Sequence, residues 1–391
     1  MIYLDNHATT RCDPRVVDAM VPWLSEHYGN PHSSHSLGVE SHQAMEKAVC
    51  QIAGLLNAPV DSVVMTSGAT ESKNLAIRGM CLHPRQKRRH IVTVSTEHPA
   101  VLDVFADLQG SGFRVTHVPV QPNGSTDAGI VDLGQLEEAI DDDTALVSVM
   151  WANNEIGAIA PMRDIAGLCH DRGALLHSDA TQAVGRIPVD MLDADIDLLS
   201  ATAHKLYGPK GTGLLVVGNS NRRVRLNPQI VGGGQQRGIR SGTMNPAGII
   251  GMATAMQLCN DEMNDHHERV ARLRDHLWVT LNSRIEGLRL NGPEFGPERR
   301  LPGNLNRAVP AIEGQAWMSA VPEIAFSSGS ACSAAHTAPS HVLTALEIDE
   351  SAARRSARFG VGRFNHVDDI EAACEMLVEG HAKLLALGNG S

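Results

Sequence analysis

Seven short apolar runs, at 62–66, 91–95, 114–119, 145–150, 174–177, 198–202 and 213–217, follow one another along the chain, and stretches of helical periodicity separate several of them. Parallel neighbours in a sheet cannot be joined by a tight turn and need a crossover, usually a helix. The alternation therefore predicts an α/β fold with a mixed, mostly parallel sheet flanked by helices. The last two runs are joined by a glycine-rich turn and no helix, so at least one strand there is expected to be antiparallel. Before the first run, 36–57 carries Leu37, Met45, Val49, Ile52, Leu55 and Leu56 on helical spacing and is expected to bury Cys50. After the last, 245–281 reads as one long helix, followed by short strands near 288, 304–309 and 324–327 and a closing helix from 367. A chain of 391 residues exceeds the size one core usually serves. The boundary is expected near 260, giving a large domain of 16–260 and a smaller α+β domain made of 1–15 and 261–391.

A formal charge of −11 argues against nucleic acid or an anionic membrane as a direct partner, since basic surface drives both interactions. The run Arg85-Gln-Lys-Arg-Arg89 is the local exception and reads as a solvated loop between two elements. No apolar stretch approaches the ~20 residues of a membrane-spanning helix, and the expectation is a soluble, cytoplasmic protein. Seven cysteines, without a CxxC pair, fit neither a disulfide framework nor a zinc ribbon. The His266-His267-Glu268 cluster lacks a second ligand set at metal spacing, so no metal is expected.

Chemistry concentrates where the apolar runs end. Lys205 lies between the run 198–202 and a turn marked by Gly208, Pro209 and Gly211, at the carboxyl edge where open α/β sheets keep their ligand crevice. A desolvated lysine there is a usable amine nucleophile, suited to a Schiff base, although a surface lysine capping a loop fits this stretch equally well. Lys210 competes but sits inside the turn. Asp179 follows another run and could face a protonated pyridine nitrogen or simply cap a turn. Ser67-Gly-Ala-Thr-Glu71 opens a helix, where first-turn N–H groups and the Thr70 hydroxyl could cup a phosphate, or Thr70 could be an ordinary cap. His98 could stack on a flat ring or be incidental. Cys332 stands in Ser327-Ser-Gly-Ser-Ala-Cys-Ser-Ala-Ala-His336, a run of small residues suited to an accessible thiol, or to a linker that happens to hold one.

In order along the chain, YLDNHATT, GNPHSSH, TSGATESKNLAIRG, TEHPAVL, NNEIG, HSDATQAVG, HKLYGPKG, RSGT, SSGSAC and RFGVGRF resemble the cysteine desulfurases, in the class V branch of pyridoxal phosphate enzymes. The cysteine motif is similar to that of their long-loop group. The resemblance implies a fold-type-I homodimer that takes sulfur from L-cysteine, releases L-alanine and hands the sulfur to an acceptor protein, such as an iron–sulfur scaffold. It implies that Lys205 tethers pyridoxal 5'-phosphate, Asp179 faces the ring nitrogen, Gln182 the ring hydroxyl, and His98 stacks over the ring. Ala69, Thr70, Thr202 and His204 would surround the phosphate, with Thr243 reaching in from the partner subunit. Asn154 and Arg358 would hold the substrate carboxylate, and Cys332 would receive the sulfur. Cys332 is the feature that argues for sulfur against a related lyase or aminotransferase, and turnover separates an enzyme from a sulfur carrier that kept the fold. Trp151 has no role in this scheme.

Overall fold

The computed structural model describes residues 1–218, 222–328 and 339–388. The chain opens with a two-residue strand, β1 (Ile2–Tyr3). A seven-stranded sheet then forms from β2 (Val63–Thr66), β3 (His90–Val94), β4 (Arg114–Val118), β5 (Thr144–Ser148), β6 (Leu175–Asp179), β7 (Leu198–Thr202) and β8 (Gly213–Val217), in the order β2-β8-β7-β6-β5-β3-β4. β4, β3, β5, β6 and β7 run parallel, and β8 is antiparallel to both of its neighbours, β7 and β2. The expected α/β class and the antiparallel turn-back after Lys205 are both present.

Helices cover both faces, which is why β2, β3, β5 and β7 are buried along their whole length and read as unbroken apolar runs rather than alternating ones. On one face Leu75 and Ile77 of the helix Ala69–Cys81 pack with Phe105 and Leu108 of the helix Pro99–Gly110. On the other, Met45 and Ile52 of the helix Ser36–Leu55 share a core with Ile165, Met252 and Leu206. The stripe buried on Ser36–Leu55 is Gly38, Ser41, Met45, Ala48 and Ile52. Cys50 lies off that three-and-four spacing and is exposed, contrary to the expectation that the helix would bury it.

The stretch read as one helix over 245–281 is two, Pro246–Asp261 and Met263–Arg284. The break is at Glu262, which leaves helical geometry with φ −101° and ψ 6°. Its carboxylate is held by Arg15 at 2.6 Å and Arg363 at 3.3 Å, contacts that fix the corner. Beyond it a four-stranded antiparallel sheet of β9 (Arg289–Leu290), β10 (Asn304–Ala308), β12 (Ser327–Ser328) and β13 (Ser356–Gly360) is ordered β12-β13-β10-β9, while β11 (Ile324–Ala325) pairs with β1. Sequence reasoning missed β13, the strand that carries Arg358. A third core gathers here around Leu4, Leu277, Trp317, Phe326 and Phe359. Leu301, Val342, Leu343 and Leu346 pack instead with the larger core beside the seven-stranded sheet.

Within the basic run, Arg88 is not a docking element. Its Nη1 donates to the carbonyl oxygens of Thr144 at 2.8 Å and Gly173 at 2.8 Å, closing the lower edge of the sheet. Among the described residues no helix is long and apolar enough to cross a membrane.

Candidate active site

A cavity of about 510 Å³ opens at the carboxyl edge of the sheet, lined by the turns that follow β2, β3, β5, β6 and β7. A parallel sheet presents its strand ends together, so side chains remote in sequence converge there. Lys205 sits in the single 3-10 turn Ala203–Lys205 that ends β7. Its Nζ donates to the carbonyl oxygens of His7 at 2.7 Å and Ala8 at 2.6 Å. Behind it, buried Arg186 donates to the Lys205 carbonyl at 3.0 Å and to that of Asn6 at 2.5 Å, tying the lysine turn to the amino-terminal segment. Lys210 lines the same cavity but is exposed.

Asp179 ends β6 and is buried at 2% exposure. Oδ1 accepts from the Thr181 backbone N–H at 3.1 Å, and Oδ2 forms an ion pair with the buried Lys73 ammonium. Burial pushes the carboxyl up, but Lys73, His98 and the Thr181 contact outweigh it and bring Asp179 down to about 2. Trp151, which had no role in the sequence, donates its backbone N–H to the Asp179 carbonyl at 3.0 Å.

His98 caps the helix Pro99–Gly110. Its Nδ1 accepts from the Ala100 N–H at 3.0 Å, which places the proton of the neutral ring on Nε2. Burial, then Lys73, hold its pKa down to about 4. Gln182 is oriented by His7, with Oε1 at 3.1 Å from Nδ1 and Nε2 donating to the His7 carbonyl at 2.9 Å.

At the other end of the cavity lie Ala69, Thr70, Thr202 and His204. The helix Ala69–Cys81 starts from Gly68, and among the described residues no side chain caps its first N–H groups. Thr70 therefore is not the ordinary cap; it is exposed at the cavity wall. Gly68 adopts φ +152°, and a Cβ on Gly213 would lie 2.6 Å from the Gly68 Cα, so both positions demand glycine to bring strand and helix start together. Thr202 donates to the Thr212 carbonyl at 3.0 Å, and His204 Nδ1 meets Thr9 Oγ1 at 3.1 Å. Burial, then Lys205 and Lys210, hold His204 down to about 4.

Asn154 lines the cavity as well. Arg358 does not: its guanidinium is fully buried behind the wall, donating to Asp5 at 2.7 Å, Ser327 at 3.0 Å and the Asn154 carbonyl at 3.2 Å, and its Nε has no partner among the described residues. Thr243 is exposed and is not part of this wall. Cys332 lies outside the described residues.

Sequence reasoning missed Lys73, His7, Arg186 and Glu97. Lys73 and Glu97 stand inside the quoted motifs, and the signal for Lys73 was available: with Ser72, Ala76 and Met80 it falls on the buried face of its helix, where an unpaired lysine is scarcely ever found. Glu97 is fully buried, with Oε1 accepting from the Met150 N–H and Oε2 unpartnered among the described residues, and burial, then Asp179, hold its carboxyl well above the usual range.

The donor set suits pyridoxal phosphate at three points. An uncapped helix start ringed by hydroxyls is a phosphate cradle, a buried ionised carboxylate suits a protonated ring nitrogen, and an amine lies in the wall of the same cavity. The class-V aminotransferase family model matches residues 2–373. A cysteine desulfurase of Mus musculus is 44% identical over 385 residues, 98% of this chain and 82% of that protein. Among solved structures, a NifS-like protein superimposes with a TM-score of 0.88 at 34% identity, covering 97% of this chain and 98% of its own. SspA, solved in complex with cysteine, does so with a TM-score of 0.80 at 31% identity, covering 94% and 100%. The chain belongs to the class-V aminotransferases, a family that uses pyridoxal phosphate, and within it to the cysteine desulfurases.

Proposed function

We propose that the chain takes sulfur from free L-cysteine, holds it as a persulfide on Cys332 and passes it to an acceptor protein such as an iron–sulfur scaffold, working in the cytoplasm as a homodimer. The observation that carries this is the convergence of Lys205, Asp179, His98 and an uncapped helix start on one cavity at the sheet edge. A likeness to a protein solved with cysteine supports the substrate, and six free cysteines among the described residues suit a reducing compartment. A working division near residue 260 goes with the break at Glu262.

Bound pyridoxal phosphate supplies an electron sink for charge developing at the substrate α-carbon. Lys205 would tether the cofactor and, once released as the amine, take the α-proton and return it to the α-carbon before alanine leaves. The peptide oxygens of His7 and Ala8 aim its Nζ. Asp179 would hold the ring nitrogen, Gln182 the ring hydroxyl, and neutral His98 would lie against the ring. Ala69, Thr70, Thr202 and His204 bind the phosphate, joined by Thr243 of the second subunit. Asn154 would receive the substrate carboxylate at the cavity wall, and Arg358, now behind that wall, would join it by its two-pronged guanidinium only on exchanging Asp5 for the substrate. The Cys332 thiolate attacks the substrate sulfur: an S–S bond forms, the C–S bond breaks, and its electron pair stays on carbon and takes a proton. The products are L-alanine and the Cys332 persulfide.

The test is mass spectrometry of the holoenzyme after exposure to L-cysteine. One added sulfur on the peptide containing Cys332 is expected, with alanine formed in step. The Cys332→Ser variant should keep its bound cofactor and lose the added sulfur and multiple turnover; a fully active variant would show that another thiol serves.

A further inference from the structure

Lys73 is a buried charge on the site floor that the reaction scheme leaves unused. It projects from the helix Ala69–Cys81, its side chain is 3% exposed, and it pairs with Asp179, itself 3% exposed. We infer that Lys73 is a positioning residue for the reaction: by engaging one oxygen of Asp179 it fixes that carboxylate and loosens its hold on the proton of the cofactor's ring nitrogen. The inference rests on the proposed role of Asp179.

From the turn after β3, Glu97 and His98 face the pair; from β6 itself comes His177, and Lys205 approaches from the turn after β7. Glu97 is buried beside Asp179 with its carboxyl held well above the usual range, first by burial, and the two histidines are neutral, both held down to about 4 first by burial. The floor therefore carries one anion, Asp179, and one cation in contact with it, Lys73. Asp179 alone would be a full counter-charge for a protonated ring nitrogen. Paired with Lys73 it is a partial one, because the ammonium repels the same proton that the carboxylate attracts. A charge within about 4–6 Å moves a neighbouring group's proton affinity by roughly 1–3 pH units. The ring nitrogen then titrates close to working pH instead of staying protonated throughout. Geometry works in the same direction, since Oδ1 is already oriented by Thr181 and Oδ2 by Lys73, leaving the carboxylate no freedom to turn.

The test is nitrogen NMR of the holoenzyme loaded with ring-15N-labelled pyridoxal phosphate, titrated with pH. In Lys73→Met and Lys73→Gln the midpoint of ring-nitrogen protonation should rise by roughly 1–3 pH units, a tenfold to thousandfold gain in proton affinity, and Lys73→Arg should restore the parent value. Unchanged midpoints in both neutral variants would overturn the inference. If neither neutral variant retained the cofactor while Lys73→Arg did, Lys73 would be holding the site together, and the inference would again be wrong. Asp179→Asn separates this from the underlying role. Loss of ring-nitrogen protonation there supports the Asp179 assignment whatever Lys73 does, and an unaltered titration removes that assignment.

Discussion

Two buried cations in this molecule are treated in opposite ways. Lys73, on the floor of the cavity, is 2% exposed and locked to Asp179. Arg307, on β10 in the core beneath the four-stranded sheet, is fully buried and has no acceptor for Nε, Nη1 or Nη2 among the described residues. It is accompanied by aromatic rings instead, with its guanidinium carbon 5.4 Å from the centroid of Trp317 and 6.0 Å from that of Trp278. Ring faces attract a cation weakly and without fixing its hydrogen bonds, whereas a carboxylate fixes both charge and direction. The difference teaches where to look for chemistry. A buried charge given a partner at a sheet edge is arranged for a ligand, while one left among rings is packing that tolerates a charge.

The comparison is broken most forcefully at Asp179. Asp179→Asn leaves Lys73 buried beside a neutral amide, and removing one member of a buried pair costs about 3–5 kcal/mol. The urea midpoint of the cofactor-free protein should fall accordingly. Removing both charges in Lys73→Met/Asp179→Asn should recover part of the loss, because the two positions touch and their effects are not additive. A single variant as stable as the parent would show that the pair is not a closed unit.

Arg307 should respond in the reverse direction. Arg307→Met replaces an unpaired buried cation by an apolar chain of similar length, a change expected to be neutral or stabilising by about 1–4 kcal/mol. A loss of that size in the urea midpoint would mean that Arg307 holds a partner after all. Its pH dependence has a definite sign. Burial pushes Arg307 down to about 9, below its ordinary 12.5, so between those values the unfolded chain binds the extra proton. The cost of burying this charge is therefore full below about 9 and shrinks as pH rises above it, and Arg307→Met should lack that alkaline gain when the two proteins are compared at pH 8 and pH 10.

The contrast also marks what could be read from the sequence. The strands of the large sheet were legible because helices bury both of their faces, leaving unbroken apolar runs such as Leu198–Thr202. β13 was not, because Ser-Ala-Arg-Phe-Gly carries an arginine and a glycine, and only the fold shows that Arg358 is buried there with Asp5, 353 positions away. The break at Glu262 was hidden for the same reason: its partners Arg15 and Arg363 lie at the two ends of the chain. Site residues that end a strand, Asp179 and Lys205, could be placed because a polar group after an apolar run is visible locally. Arg186 could not, since what distinguishes a buried cation from a solvated one is the neighbour it meets, and its neighbours Asn6 and Lys205 are remote in sequence; for Lys73 the helical spacing signals burial but not Asp179 as the partner.

The smallest expected effect fixes the lower end of the scale. Arg163 and Asp193 form an ion pair with side chains 71% and 67% exposed, chemically the same kind of contact as Lys73 with Asp179. Water already solvates both groups, so their attraction is screened and ordering two long side chains offsets most of what remains. Arg163→Gln should therefore change the urea midpoint by less than about 0.5 kcal/mol, and added salt should not enlarge the difference. If this variant lost as much stability as Asp179→Asn, depth of burial would not be what separates the two pairs, and the significance attached to the charges on the cavity floor would have to come from elsewhere.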